Sequence, residues 1–285
     1  MEYRSTSQFF RLRPRTRNER RLQQPFQQLE FSVAAENGDL LIMDRLLSDC
    51  EINGVDINGE TSGTAETALN IAAQEGHEHV VQYLVGYGNC DLNHQNLDHQ
   101  TALQVATRKG QYKIATTLIH AGADVNIPDR RRKTPIFYAA LNNYVVILNA
   151  LLSANADIHW RDEDGCSALH EAIASGHIEC VKALIKAKAD IHATDRRGRT
   201  PLELSRQAYK EIKRGRPILS FYSLPPFHPD KVLFNGIVCK LRRRYKSSKT
   251  HDQLQADCVH DYNHIVKYLQ NTLNDSIVTL LNNSR

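Results

Sequence analysis

The sequence predicts an all-α solenoid of about six stacked helix–turn–helix units, and three observations carry that prediction. First, the phrases "TALN" at Thr67, "TALQ" at Thr101, "TPIF" at Thr134, "SALH" at Ser167 and "TPLE" at Thr200 recur at spacings of 34, 33, 33 and 33 residues. Second, each phrase opens an Ala-rich run such as "IAAQEGH" or "EAIASGH", followed by an apolar segment with helical spacing such as "VVQYLV" or "CVKALI". Third, Gly76, Gly110 and Gly176 fall where the two helices must reverse, and Asn143 stands in the equivalent place of the fourth unit. Both residue types favour a left-handed backbone. Units of this kind cannot bury their apolar faces alone and do so by stacking on their neighbours.

Within each unit the elements follow in order. The Thr or Ser of the phrase is placed to cap the free N–H groups of the first helix, and Pro135 and Pro201 fall at its first position, where a missing N–H costs nothing. Alanines let the first helix pack closely, and the leucine pairs of the second helix fill the space between units. After "TPLELSRQAYKEIKRG" the expected second helix is missing. An irregular, proline-containing and basic stretch, 214–255, reads as an insertion, and "HDYNHIVKYLQNTL" then resembles the second-helix phrase "GHIECVKALIKA". Residues 256–285 therefore supply a closing helix, or a separate final helical pair.

Charge is distributed unevenly. The net charge is +4, but residues 1–27 contribute +5 and 240–249 ("KLRRRYKSSK") contribute +6, leaving −7 for the rest. Basic character thus belongs to two flanking segments rather than to the repeat body, so nucleic acid is disfavoured as the partner of the array. Residues 1–27 read as a disordered, arginine-rich arm whose Phe9, Phe10 and Leu12 would suit a membrane surface, with nuclear or mitochondrial targeting as other readings. No apolar run is long enough to span a bilayer, and the six cysteines lack CxxC pairing, which together predict a cytoplasmic protein with free, mostly buried thiols.

The repeat resembles the ankyrin repeat, most closely in "SALHEAIASGHIECVKALIKAKADIHATD" and "AGADVNIPD", over about residues 28–213. The resemblance implies helix–turn–helix units joined by β-hairpin fingers, and a first, capping unit at "FSVAAENGDLLIMDRLLSDCEINGVDIN", with Gly38 as its reversing glycine. The usual glycine two residues before the phrase is kept at Gly165 and Gly198 and replaced by Ala65, His99 and Arg132, which puts the loop geometry there in question.

The resemblance also implies a concave groove whose variable positions flank the motif threonine. These are Arg108 and Lys109 in the third unit, Arg130, Arg131 and Lys133 in the fourth, Glu163 and Asp164 in the fifth, and Arg196, Arg197 and Arg199 in the sixth. Their sign alternates along the groove, which suits a protein partner of matching pattern. Asp162, Glu163 and Asp164 between the arginine blocks would repel a polyanion. Trp160, the only tryptophan, has two readings: it stiffens the row of hairpins by lying over Ile127 and Ala193 with Arg161 at its edge, or it stays partly exposed as a binding anchor.

No nucleophile triad, phosphate loop or cofactor motif is legible. Cys258, His260 and His264 in "CVHDYNH", with His251 and Cys239 upstream, are weak metal candidates because the spacing fits no zinc site. The expectation is a monomeric, non-enzymatic scaffold or adaptor that binds a partner protein and needs no cofactor. Three other readings stand beside it. A solitary array with such an extension resembles ankyrin effectors that intracellular bacteria and some viruses use to capture host proteins, which would place it in a host cell. The two basic segments could bind nucleic acid or an acidic surface, and residues 214–285 could carry chemistry.

Overall fold

The computed structural model describes residues 17–48, 55–61, 63–213 and 251–283, with the side chains of 17–25, 211–212, 251–256, 258 and 275–283 excepted. Among these residues there are twelve helices and no strand. They are α1 (Arg17–Asn37), α2 (Leu40–Ser48), α3 (Ala68–Glu75), α4 (Glu78–Gly86), α5 (Ala102–Lys109), α6 (Tyr112–His120), α7 (Pro135–Asn142), α8 (Val145–Ser153), α9 (Ala168–Ala174), α10 (Ile178–Lys186), α11 (Pro201–Lys213) and α12 (His251–Asn283). The helices divide into two compact units, Met1–Asp124 and Val125–Arg285.

In the first unit, α1, α3 and α5 pack side by side in one row, and α2, α4 and α6 in a second. The second unit repeats this plan with α7, α9 and α11 against α8, α10 and α12. The alanines explain the close first row: Ala68, Ala72 and Ala73 in α3, and Ala168 and Ala172 in α9, are essentially solvent-free. The Val-Val or Cys-Val pair and the leucine three residues later (Val80, Val81 and Leu84 in α4; Cys180, Val181 and Leu184 in α10) fill the space behind them. Each fully buried Leu or Val contributes roughly 1.5–3 kcal/mol.

Local signals behave as their chemistry requires. The Thr67 hydroxyl accepts from Asn70 N, and Thr101 forms a reciprocal capping box with Gln104. Pro135 opens α7 and Pro201 opens α11. Asn143 ends α7 with φ 60°, the left-handed conformation that Gly176 takes at 73°. The three positions that lost the finger glycine keep its geometry: φ is 51° at Ala65, 57° at His99 and 60° at Arg132, against 71° at Gly165 and Gly198. A non-glycine residue there costs about 1 kcal/mol. Ala65→Gly is therefore expected to raise the unfolding free energy by about 0.5–1 kcal/mol, measured by urea titration.

The last repeat is split. In four places a side chain, three times the one that precedes a second helix and once Tyr262 within α12, reaches back to the carbonyl two residues before the preceding unit's reversing residue. His77 Nε2 lies 2.8 Å from Glu36 O, Gln111 Nε2 donates to Gln74 O at 3.4 Å, His177 Nε2 lies 3.1 Å from Leu141 O, and Tyr262 Oη donates to Ala174 O at 2.6 Å. Tyr262 thus stands where His177 stands one unit earlier, and the register continues: Ile265 and Leu269 are buried like Cys180 and Leu184. Residues from Tyr262 onward supply the second helix for α11, and the chain between them is inserted in the turn. Both helices overrun the usual length, α11 reaching Lys213 and α12 starting at His251. At the other end, α1 begins at Arg17, within the stretch read as an arm, and residues 1–16 and 214–250 lie outside the described residues.

Candidate functional site

The finger row of the second unit is built on three aspartates that stand five residues before the motif Thr or Ser. Asp129 Oδ1 accepts the N–H groups of Arg131 and Lys133, Asp162 Oδ1 those of Asp164 and Cys166, and Asp195 Oδ1 those of Arg197 and Arg199, all at 2.8–3.0 Å. Each hairpin is then closed by two backbone hydrogen bonds: Asp129 N to Lys133 O and Arg132 N to Asp129 O, Asp162 N to Cys166 O and Gly165 N to Asp162 O, and Asp195 N to Arg199 O and Gly198 N to Asp195 O. Such short pairing makes no strand, so the fingers are side-chain-braced turns. Adjacent fingers are joined by a regular backbone link: Glu163 N donates to Arg131 O at 3.2 Å and Arg196 N to Asp164 O at 2.9 Å. In the first unit Leu97 N donates to Thr64 O at 3.1 Å in the same register.

The second carboxylate oxygen of each brace is neutralised differently. Asp129 Oδ2 accepts the Tyr138 hydroxyl, Asp195 Oδ2 pairs with Arg199 at 2.7 Å, and Asp162 Oδ2 lies 3.6 Å from Lys133 Nζ. Lys133 also donates to Glu171 of α9, whose side chain is buried. Lys133 and Arg199, expected on the groove, are therefore turned into the finger bases with side chains only 18% and 17% exposed. A buried carboxylate needs a cation more than the groove does. Asp162, expected to face a partner alongside Glu163 and Asp164, is likewise buried.

Burial would lower the Lys133 ammonium, but Glu171 and Asp162 outweigh it and hold it well above the usual lysine range. Burial pushes the Asp162 carboxyl up to about 6, against a partial offset from Lys133, with Glu171 adding to the rise. A carboxyl raised in the folded state binds its proton more tightly there than in the unfolded chain. Its contribution to stability therefore improves as pH falls through about 6 towards the ordinary carboxylate value near 4. Asp162→Asn keeps the acceptor for both N–H groups, as Asn96 does for Asp98 and Gln100 in the first unit. That variant is expected to match or exceed the wild type in urea at pH 7.5, with the advantage shrinking towards pH 4.5.

Arg130, Glu163, Asp164, Arg196 and Arg197 are exposed and Arg131 is half-buried, and Arg132, which the groove assignment omitted, is exposed as well. Its positive φ points it out of the finger tip, a signal already present in the loss of the glycine. Arg108 and Lys109 end α5 in the first unit, half-buried and exposed.

Trp160 is half-exposed and its Nε1 donates to Arg132 O at 2.6 Å, the same reach by which His94 Nε2 meets Ala65 O at 2.9 Å. The guanidinium over the ring is that of Arg132, 5.7 Å from the centroid. Arg161, expected there, instead donates through Nη1 to Gly165 O and Thr194 O at 2.9 and 2.8 Å and braces the next finger.

His170 bridges α9 to the following finger. Its Nδ1 accepts from Ser167 N at 3.2 Å and its Nε2 lies 3.4 Å from Arg199 O. Burial lowers its imidazole from the ordinary value, consistent with this fixed neutral role. Cys166 and Cys180 are buried and Cys90 is half-buried, all three free, and burial raises the Cys90 thiol to about 12. Of the metal candidates, His260 and His264 lie edge-to-face on the exposed side of α12, ring centroids 4.3 Å apart, while Cys258, His251 and Cys239 fall outside the described side chains. Among the described residues no three His, Cys, Asp or Glu side chains are grouped to hold a metal ion, and no helix is long and apolar enough to cross a membrane.

A family model for ankyrin repeats, in three copies, matches residues 31–129 and 127–195. The chain belongs to the ankyrin-repeat family. Such repeats form protein–protein interaction modules. Similar stretches occur in human NAD-capped RNA hydrolase NUDT12, 36% identical over 92 residues, which are 32% of this chain and 19% of that protein. Another is in the Caenorhabditis elegans ankyrin repeat and KH domain-containing protein mask-1, 33% identical over 93 residues, 32% of this chain and 4% of that one. A third is in the mouse fibronectin type 3 and ankyrin repeat domains 1 protein, 50% identical over 42 residues, 15% of this chain and 12% of the relative. The ankyrin-repeat chain thus spans less than a fifth of the length of each of these three relatives.

Proposed function

We propose that this ankyrin-repeat protein is a non-enzymatic scaffold or adaptor that holds a partner protein on the finger row of its second unit. The observation that carries this reading is the order of charge on a fixed backbone. Arg130, Arg131 and Arg132, then Glu163 and Asp164, then Arg196 and Arg197, follow one another on fingers linked tip to tip. A partner with acidic, basic and acidic patches at the same spacing gains steering and register from such a row, and a shifted one meets like charges. Trp160, half-exposed beside the first arginine block, supplies the apolar anchor that charge alone lacks. Lys133 and Arg199 serve the row from beneath by fixing the braces.

The test is affinity capture from cell lysate with the full chain and with a variant carrying Arg131→Glu, Trp160→Ala and Arg197→Glu, both confirmed folded by circular dichroism. One protein retained by the wild type and reduced at least tenfold by the variant is the expected result. Equal capture by both, or retention of nucleic acid alone, overturns the assignment.

A further inference from the structure

Histidine serves the architecture of this chain in several repeats. His77, His79 and His177 each set a ring nitrogen against a carbonyl of the preceding repeat, His94 does so in the finger row, and His170 spans from Ser167 to Arg199. His260 and His264 of α12 differ. Among the described residues no hydrogen bond engages either ring, both side chains are exposed, and the rings meet edge-to-face with centroids 4.3 Å apart. We infer that His260 and His264 form a chelating site for a divalent transition-metal ion, with water completing the coordination.

The backbone beneath the pair is fixed before any ion arrives. Residues 260 and 264 are one helical turn apart, which puts their Cβ atoms about 5–6 Å from each other on one face. The opposite face is anchored: Tyr262, Ile265 and Leu269 are buried, and the Tyr262 hydroxyl donates to Ala174 O at 2.6 Å. Two imidazole nitrogens on one ion lie about 2.0–2.1 Å from it, and hence about 3 Å from each other. Rings with centroids already 4.3 Å apart reach that separation by rotation about the side-chain bonds, a motion that exposed residues complete in picoseconds to nanoseconds.

The donors choose the ion. A pair of imidazoles suits Cu²⁺, Ni²⁺ and Zn²⁺, with Cu²⁺ held most tightly, whereas Mg²⁺ and Ca²⁺ require oxygen ligands. Two ligands from the chain leave the remaining positions to water, so the ion is exchangeable. The chelate spans a helical turn and forms only where that turn is helical, so bound metal stabilises α12 by linkage. It clips the last helix at the point where Tyr262 seats it against α9.

Titration of the untagged full chain with Zn²⁺ near neutral pH, followed by calorimetry and by hydrogen exchange of the α12 amides, tests the site. Zn²⁺ is expected to bind at the pair, Cu²⁺ more tightly and Mg²⁺ not at all. His260→Ala and His264→Ala are each expected to weaken Zn²⁺ binding about tenfold or more, and the double variant to add little to either, as for two ligands of one chelate. At free Zn²⁺ ten times the dissociation constant, α12 exchange is expected to slow about tenfold in the wild type and not in the variants. Both positions are exposed, so the variants are expected to fold, and unchanged circular dichroism without metal confirms this. Zn²⁺ affinity unaltered by either substitution overturns the inference. So do small, additive losses, which describe two independent single ligands, or α12 exchange that is insensitive to bound Zn²⁺.

Discussion

Lys133→Ala is expected to lower the unfolding free energy of the second unit by about 3–5 kcal/mol at pH 7.5. The substitution leaves the buried carboxylates of Glu171 and Asp162 facing each other without their shared cation, and an unpaired buried charge is worth that much. The loss is carried by charge rather than by packing, which gives it two signatures. Glu171→Gln or Asp162→Asn on the Lys133→Ala background recovers a large part of it. Acidification from pH 7.5 to 5 recovers part as well, because Asp162, already raised to about 6, takes up a proton. Urea midpoints of the single and double variants at both pH values provide the measurement. An equal loss at both pH values, unaltered by the second substitution, would make Lys133 a packing residue.

Tyr262→Ala is expected to release α12 from the stack. The side chain is 2% exposed, donates to Ala174 O at 2.6 Å and lies against Gly176, where even an added Cβ would come within 3.0 Å of the ring. Removing a buried aromatic and its hydrogen bond costs roughly 3–5 kcal/mol. A terminal helix held by neighbour contacts alone loses a large share of its stability with that sum. Hydrogen exchange should show α12 deprotected while α7 and α9 keep their protection. Tyr262→His provides the control, because His77 and His177 make the same reach in other units, and it is expected to lose no more than about 1.5 kcal/mol. Should Tyr262→Ala leave α12 protected, the equivalence of Tyr262 with His177 fails.

The repeat units were legible because their signals are local and periodic. Thr67 and Thr101 cap the helices that follow, Pro135 and Pro201 open theirs, and Asn143 takes the left-handed conformation that its place demands. Burial of finger side chains was not legible, because it depends on what lies one unit away. Lys133 and Arg199 share their offset from the phrase with the variable position Cys166, and nothing in that offset distinguishes a solvated cation from one drawn under a finger by Glu171 or Asp195. A local signal did exist for the braces: Asn96, Asp129, Asp162 and Asp195 recur five residues before the phrase, in phase with the repeat. Arg132 takes the place at Trp160 expected of Arg161 for a related reason. The ring bonds to the previous finger and not to the following one, a direction that spacing alone leaves open.

The tip-to-tip link has a consequence for how this surface can change. The regular link from one finger to the next uses main-chain atoms, Glu163 N to Arg131 O and Arg196 N to Asp164 O, and each brace in the second unit uses an aspartate at a fixed offset. The exposed side chains of Glu163, Asp164 and Arg196 take no part in that link. The row is an alphabet on a rigid page, in which letters can be rewritten through ordinary substitution without retyping the fold. Affinity for a new partner is then reachable by successive single changes, each of which leaves a folded protein.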